Sequence, residues 1–238
     1  MLKETRSILF DHRRIILTRD FEYLMVEWDE PLTVLSSALW GGGLRKARRL
    51  INRHVPKDYC EDDPRQEARQ WLIRQGWHIG ETVALLTAAR LADAQVRVTE
   101  GYRFHLATVV TAGVSNAARA GKAGPTYLDY PRPGTINMML IVDGELTYAA
   151  MVNAVITASE AKAAALQELK VRDSEGDLAT GTTTDAVIVA STQQAVEGVT
   201  HHYAGVASPF GQILGREVYH AVRSAVQLAQ ERKGEIIG

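Results

Sequence analysis

Apolar and polar residues alternate along the first part of the chain. Residues 14–17, 23–28 and 33–37 read as strands, broken by Thr18-Arg19-Asp20 and Asp29-Glu30-Pro31, and together predict an antiparallel meander. Gly41-Gly42-Gly43 stops it. Leu44, Ala47, Leu50 and Ile51 then recur at helix-like spacing, which predicts a helix over 44–52. A second helix starts at Asp63-Pro64, since an Asp cap followed by Pro at the first helical position is a favoured opening, and ends near Gln75-Gly76. From Thr82 two or three strands are expected. The clearest spans 104–114, where the β-branched run Thr108-Val109-Val110-Thr111 disfavours a helix. Residues 117–133, rich in Gly, Ala, Pro and basic side chains and without periodicity, read as an irregular loop.

Beyond that loop the pattern turns to strand, helix, strand, helix. Residues 135–142 form an apolar strand, Thr147 caps a helix through Leu169, and residues 185–191 form a second buried strand. The last helix, 211–231, carries an apolar stripe of Leu214, Val218, Ala221, Val222, Ala225 and Ala229. The fold expected is α/β (mixed α+β), a layered sandwich in which a mixed β-sheet carries two long C-terminal helices. One sheet or two stacked sheets both fit. No fixed-period repeat or low-complexity linker divides residues 1–238, so a single domain is expected.

Charge and cysteine change this picture little. A formal net charge of -1 over 238 residues gives no field that favours nucleic acid or an anionic membrane. The lone Cys60 cannot close an intrachain disulfide, and no N-terminal apolar run has the length of a signal segment or membrane span, so a reducing cytoplasm is expected.

Candidate chemistry concentrates in the second half. On the helix from Thr147, residues Asn153, Thr157 and Glu160 form one polar stripe beside an apolar face of Val152, Val155, Ile156, Ala163 and Leu166. So apolar a helix is expected to be enclosed on several sides, which makes its charges structural partners or working groups. Glu160 and Lys162 point to opposite sides of the axis. Glu160 is the candidate general base or orienting group, and a bonded structural carboxylate is the alternative. In Thr180-Gly181-Thr182-Thr183-Thr184-Asp185, backbone N–H groups and hydroxyls could receive an oxyanion, and Thr182 or Thr184 could be a nucleophile beside a base. The same residues could equally form a turn that satisfies its own backbone. Asp185 orients that loop or serves as the acid partner. Asn116 and Asn137 interrupt apolar strands, where a carboxamide needs a partner. Gly41, Gly42 and Gly43 after Ser36-Ser37 permit either a sharp turn or close approach of a flat ligand.

His201 or His202 could act as a general acid. Glu217 and His220 are i, i+3 neighbours, but no His-x-x-x-His or His-x-His pattern accompanies them, and no metal is expected. Arg45, Lys46, Arg48, Arg49 and Arg53 read as a solvated helix face, with contact to a substrate phosphate as the lesser reading. Gly121-Lys122 lacks the rest of a phosphate-binding loop, and no Gly-x-Gly-x-x-Gly follows a strand.

Several separated stretches resemble one family. They are Ser36-Ser-Ala-Leu-Trp-Gly-Gly-Gly-Leu44, Thr111-Ala-Gly-Val-Ser-Asn116, Gly134-Thr-Ile-Asn-Met-Met-Leu-Ile-Val-Asp143, the Glu160-Ala-Lys helix, and Ala179-Thr-Gly-Thr-Thr-Thr-Asp-Ala-Val-Ile-Val-Ala190. In order and spacing they are similar to the adenosylcobinamide amidohydrolases. Thr183, Ser159 and the proline-bearing segment 121–131 depart from the family's usual pattern. The resemblance implies hydrolysis of the amide joining the aminopropanol arm to the corrin ring, giving adenosylcobyric acid and 1-amino-2-propanol, in cobalamin salvage. The corrinoid is then substrate, no cofactor is held, and no nucleic acid or membrane is a partner; a homo-oligomer stays open. Glu160, Thr182, Thr184, Asp185 and His201 are the catalytic candidates. Ser36, Gly41, Gly42, Gly43, Asn116, Asn137 and Asn153 are the substrate-binding candidates. A non-catalytic corrinoid-binding protein and a threonine-nucleophile amidase of another substrate are the rival readings.

Overall fold

The alternating N-terminal third folds into long strands that bend from one layer of a sandwich into the next. In the computed structural model, which describes residues 4–122 and 135–237, a sheet of nine strands runs in the order β1-β2-β3-β12-β9-β7-β6, with β4 on β3 and β5 on β4. The strands are β1 Thr5–Phe10, β2 Ile15–Arg19, β3 Tyr23–Ser36, β4 Gly43–His54, β5 Thr82–Thr87, β6 Gln95–Gly101, β7 Phe104–Ala112, β9 Ile136–Asp143 and β12 Ala186–Ser191. Four short strands pair outside this sheet: β8 Ala117–Ala118 with β11 Gly181–Thr182, and β10 Glu145–Leu146 with β13 Thr200–His201. The helices are α1 Pro64–Arg74, α2 Tyr148–Glu168 and α3 Pro209–Ile237. None is long and apolar enough to cross a membrane among the described residues.

The sheet folds back on itself. Met139 and Ile141 of β9 and Ala107 and Val109 of β7 share one core with Leu24 and Val26 of β3, Leu50 of β4, Val83 and Leu85 of β5, and Ile15 and Leu17 of β2. The other face of β9, with Met138, Leu140 and Val142, packs under α2 and α3. All eight residues of β9 are therefore buried, and its sequence reads as an unbroken apolar run rather than an alternation. A third, smaller core lies under α1, where Trp71 and Leu72 meet Met25, Ile51 and Ala84. The layers are helices, sheet, sheet, helix. The expected sandwich is thus built from one sheet folded into two packed layers.

The predicted caps hold. Thr147 accepts a hydrogen bond from the Ala150 amide at 3.1 Å, and Asp63 accepts one from Gln66 at 2.9 Å ahead of Pro64. In α3, Leu214, Val218, Ala221, Val222 and Ala225 are buried; each Leu- or Val-sized side chain contributes about 1.5–3 kcal/mol of burial. Residues 44–52 correct the reading above: they lie in β4, antiparallel to β3 and parallel to β5, and do not form a helix. The basic residues of β4 therefore bond to β3 and to the neighbouring segments around Gly80 and α1, and are not a solvated helix face. Arg49 pairs with Glu27, and Arg53 reaches Glu67 of α1 at 2.6 Å. The loop read over 117–133 begins with β8, and residues 123–134 lie outside the described residues.

Candidate active site

The second half of the chain converges on Asp185, which ends the threonine loop just before β12. Its Oδ1 accepts the Ile136 amide at 3.0 Å and its Oδ2 the Thr182 amide at 3.0 Å. The Thr182 hydroxyl donates to Oδ1, and the Lys162 ammonium donates to Oδ2. The Lys162 and Asp185 side chains keep only 11% and 13% of their exposure, so this ion pair is well shielded from solvent screening. Gly181 makes the approach feasible. A Cβ there would lie 2.8 Å from the Lys162 ammonium and closer still to Asp185.

Two openings meet at Asp185. A cleft of about 260 Å³ enters at this end of the sandwich, lined by Ser37, Tyr59, Thr87, Asn137 and Thr184 among others. A shallower groove of about 560 Å³ runs outside, along Glu160, Lys162, Thr182 and Ala118–Ala120. Thr182 and Lys162 face the groove, and Thr184 faces the cleft. At the cleft floor Asn137 donates to the Asn52 side chain and to the Leu86 carbonyl, both at 2.8 Å. Asn52 in turn donates to Thr111 at 2.8 Å, and Thr135 donates to Asn137 at 3.0 Å. The carboxamide of Asn137 is thus fixed in place. The Tyr59 hydroxyl donates to Glu67 at 3.1 Å. Burial, and then the Glu67 carboxylate, push this phenol above its ordinary value, so it stays protonated at neutral pH.

The other residues singled out from sequence fall into three groups. Glu160 lines the groove but is exposed, so the desolvated carboxylate expected on an enclosed helix is not what forms; Val152 and Ile156 are half-exposed for the same reason, since α2 lies in an outer layer. Asn116 joins the loop, donating to the Thr183 hydroxyl at 2.6 Å while its buried Oδ1 has no partner among the described residues. The loop amides are largely engaged: Thr182 N binds Asp185, and Thr183 N reaches the Asn116 carbonyl at 3.3 Å. Ser36 is buried and accepts the Ala38 amide at 3.0 Å; its neighbour Ser37 is the one that lines the cleft. Gly41, at φ +71 and with a Cβ position 2.6 Å from the Thr82 carbonyl, has a backbone reason to be glycine, in the turn that leads into β4 at Gly43. Two candidates are set apart. His201 lies beside β10 at the start of α2, its Nε2 3.3 Å from the Arg103 carbonyl. Fifteen residues of helix, roughly 22 Å, separate Thr147 there from Lys162, so the proton donor read at His201 is not brought to this site. Asn153 lies in that same first half of α2. Glu217 takes Arg97 and Arg216 as partners, and His220 is exposed.

Comparison with known proteins now decides the lineage. A model of the adenosylcobinamide amidohydrolase family matches residues 8–234. The chain belongs to that family. An adenosylcobinamide amidohydrolase of Methanosarcina mazei is 29% identical over 196 residues, covering 80% of this chain and 88% of the relative. One from Halobacterium salinarum is 32% identical over 195 residues, covering 79% and 77%. Among solved structures, a Pyrococcus horikoshii protein aligns with TM-score 0.42 and 11% identity, over 87% of this chain and 76% of that one.

For a member of the adenosylcobinamide amidohydrolase family, the residue that sequence reasoning underweighted is Lys162. Its charge on an otherwise apolar side of α2 was the available signal, since such a cation needs a buried partner. Tyr59 and Ser37 carried no comparable mark.

Proposed function

We propose that this protein hydrolyses the amide between the aminopropanol arm and the corrin ring of adenosylcobinamide, giving adenosylcobyric acid and 1-amino-2-propanol, as a step of corrinoid salvage. The observation that carries the reading is the shielded Lys162–Asp185 pair with the Thr182 hydroxyl donating to it, in a chain of this family. In the proposed reaction Thr182 Oγ1 attacks the amide carbon as its proton passes to Asp185 Oδ1. Lys162, which donates to the other oxygen of that carboxylate, offsets the negative charge that develops on the carbonyl oxygen. The C–N bond then breaks, the amine leaves with the proton from Asp185, and water cleaves the threonyl ester. These steps use only the chain's own groups, with the corrinoid as substrate and no resident cofactor.

Size supports a division of labour between the two openings. A cleft of about 260 Å³ falls below the roughly 300–1,000 Å³ of pockets that enclose drug-sized ligands. It admits an arm, while a macrocycle rests in the outer groove against Glu160 and near Asn116. Asn side chains, which offer donor and acceptor together, suit the peripheral carboxamides of a corrinoid. The test is incubation with adenosylcobinamide and chromatography for adenosylcobyric acid. The wild type should release it, and Thr182→Val should lose kcat by about a hundredfold or more while still binding substrate. A corrinoid recovered unchanged would leave a binding protein instead; full turnover by Thr182→Val would remove the nucleophile.

A further inference from the structure

A second polar cluster lies at the opposite end of the space between the two layers of the sheet. His12 sits in the turn between β1 and β2, His105 is the second residue of β7, and Asp143 ends β9 directly opposite His105 in register. Six residues of β9 separate Asp143 from Asn137, roughly 20 Å of strand, so this cluster is remote from the cleft. His12 Nε2 is 2.7 Å and His105 Nδ1 is 3.6 Å from the same oxygen, Asp143 Oδ2. The other oxygen, Oδ1, is occupied: Arg13 Nε and the Thr192 hydroxyl each donate to it at 3.0 Å.

An ion pair does not account for this arrangement. Arg13 already supplies the countercharge of Asp143, whose side chain is 1% exposed. Yet a second ring nitrogen, His105 Nδ1, is buried at the same spot without a hydrogen-bond partner among the described residues. A buried unsatisfied nitrogen next to another imidazole and a carboxylate oxygen has an absent ion as one of its few physical explanations. The three donor atoms lie within 4.8 Å of one another. A tetrahedral zinc ion, with bonds of about 2.0–2.2 Å, holds its donors roughly 3.4 Å apart, so small side-chain shifts suffice.

We propose that His12 Nε2, His105 Nδ1 and Asp143 Oδ2 bind a divalent transition-metal cation of the zinc class. Two imidazoles and one carboxylate are a set such ions accept, with a fourth position left for water. Arg13 and Thr192 hold the carboxylate so that Oδ2 faces the ion, the part outer-shell partners play at metal sites. The half-exposed His12 leaves an entry route. Because His12 belongs to the β1–β2 hairpin and the other two ligands to β7 and β9, the ion fastens one layer of the folded sheet to the other.

The experiment compares metal-stripped wild type with His12→Ala and His105→Ala, by zinc titration calorimetry and by thermal unfolding without and with zinc. Wild type should take up one equivalent, and free zinc at a hundred times Kd should raise Tm by about 5–10 °C. Cobalt(II) should give visible absorption in the wild type only. His12 is exposed enough that its removal leaves the fold intact, so a variant that folds but loses both the uptake and the Tm rise supports the site. No uptake by the wild type, or the same uptake and Tm rise in both variants, overturns it. Neither readout depends on corrinoid turnover, so the outcome is separate from that of the proposed function.

Discussion

Replacing Lys162 with Met keeps the length and most of the apolar stem of the side chain and removes the charge. Asp185 is then left as a shielded carboxylate without its cation. Breaking a buried pair from one side costs about 3–5 kcal/mol. Here Asp185 keeps three donors, the Ile136 amide, the Thr182 amide and the Thr182 hydroxyl, which places the loss at the lower end. A loss of about 3 kcal/mol in a chain of this size lowers Tm by roughly 6–12 °C. Urea and thermal unfolding followed by circular dichroism measure it. Lys162→Met/Asp185→Asn tests the cause, because removing the stranded charge should restore about 1–3 kcal/mol relative to the sum of the single losses. A single loss below about 1 kcal/mol, or strict additivity in the double variant, would refute the claim that this pair is energetically coupled.

Three further outcomes are expected. Gly181→Ala forces a Cβ against the same pair and should cost about 1–3 kcal/mol in urea unfolding together with most of the amidase turnover; a stable, fully active variant would show that the pair tolerates separation. Glu160→Gln, at an exposed groove position, should raise KM several-fold with kcat within about threefold, whereas a hundredfold fall in kcat would make Glu160 the general base. Burial resists ionisation of Glu217, but hydrogen bonds from Arg97 and Arg216 outweigh it and hold its carboxyl below the ordinary 4.5. A depressed folded-state value adds stability that is complete above the unfolded value and fades as pH falls through the folded one. The stability gap between wild type and Glu217→Gln in urea titrations should therefore be constant near neutrality and narrow below about pH 4.5; a gap that widens on acidification contradicts the assignment.

Legibility followed the local physics. The segment from β9 through α2 to β12 was readable because an eight-residue buried strand, a Thr cap and a second apolar run each follow from short-range rules. Residues 44–52 misled for a specific reason. Ala47 and Leu50 both face the core between the sheets although three residues apart, because β3 bulges between Glu27 and Leu32 where β4 bends, so a bent strand imitates helical spacing. The site was half visible. Thr182 and Asp185 adjoin in sequence and could be paired on paper, whereas Lys162 reaches Asp185 only through packing of α2 on the sheet, a contact 23 residues apart. Ser36 and Ser37 were indistinguishable without knowing which face of β3 meets the cleft. His12, His105 and Asp143 are up to 131 positions apart, and no spacing rule links them.

β3 runs unbroken for fourteen residues, pairing with β2 and β4 through its first half and with β12 and β4 through its second. One backbone therefore stitches both layers together. Opening or closing one layer against the other would have to bend this shared strand, which favours adjustment on binding by loops and side-chain rotations. Amide protons of β3 should accordingly exchange together, at the rate of global unfolding and not that of a local opening.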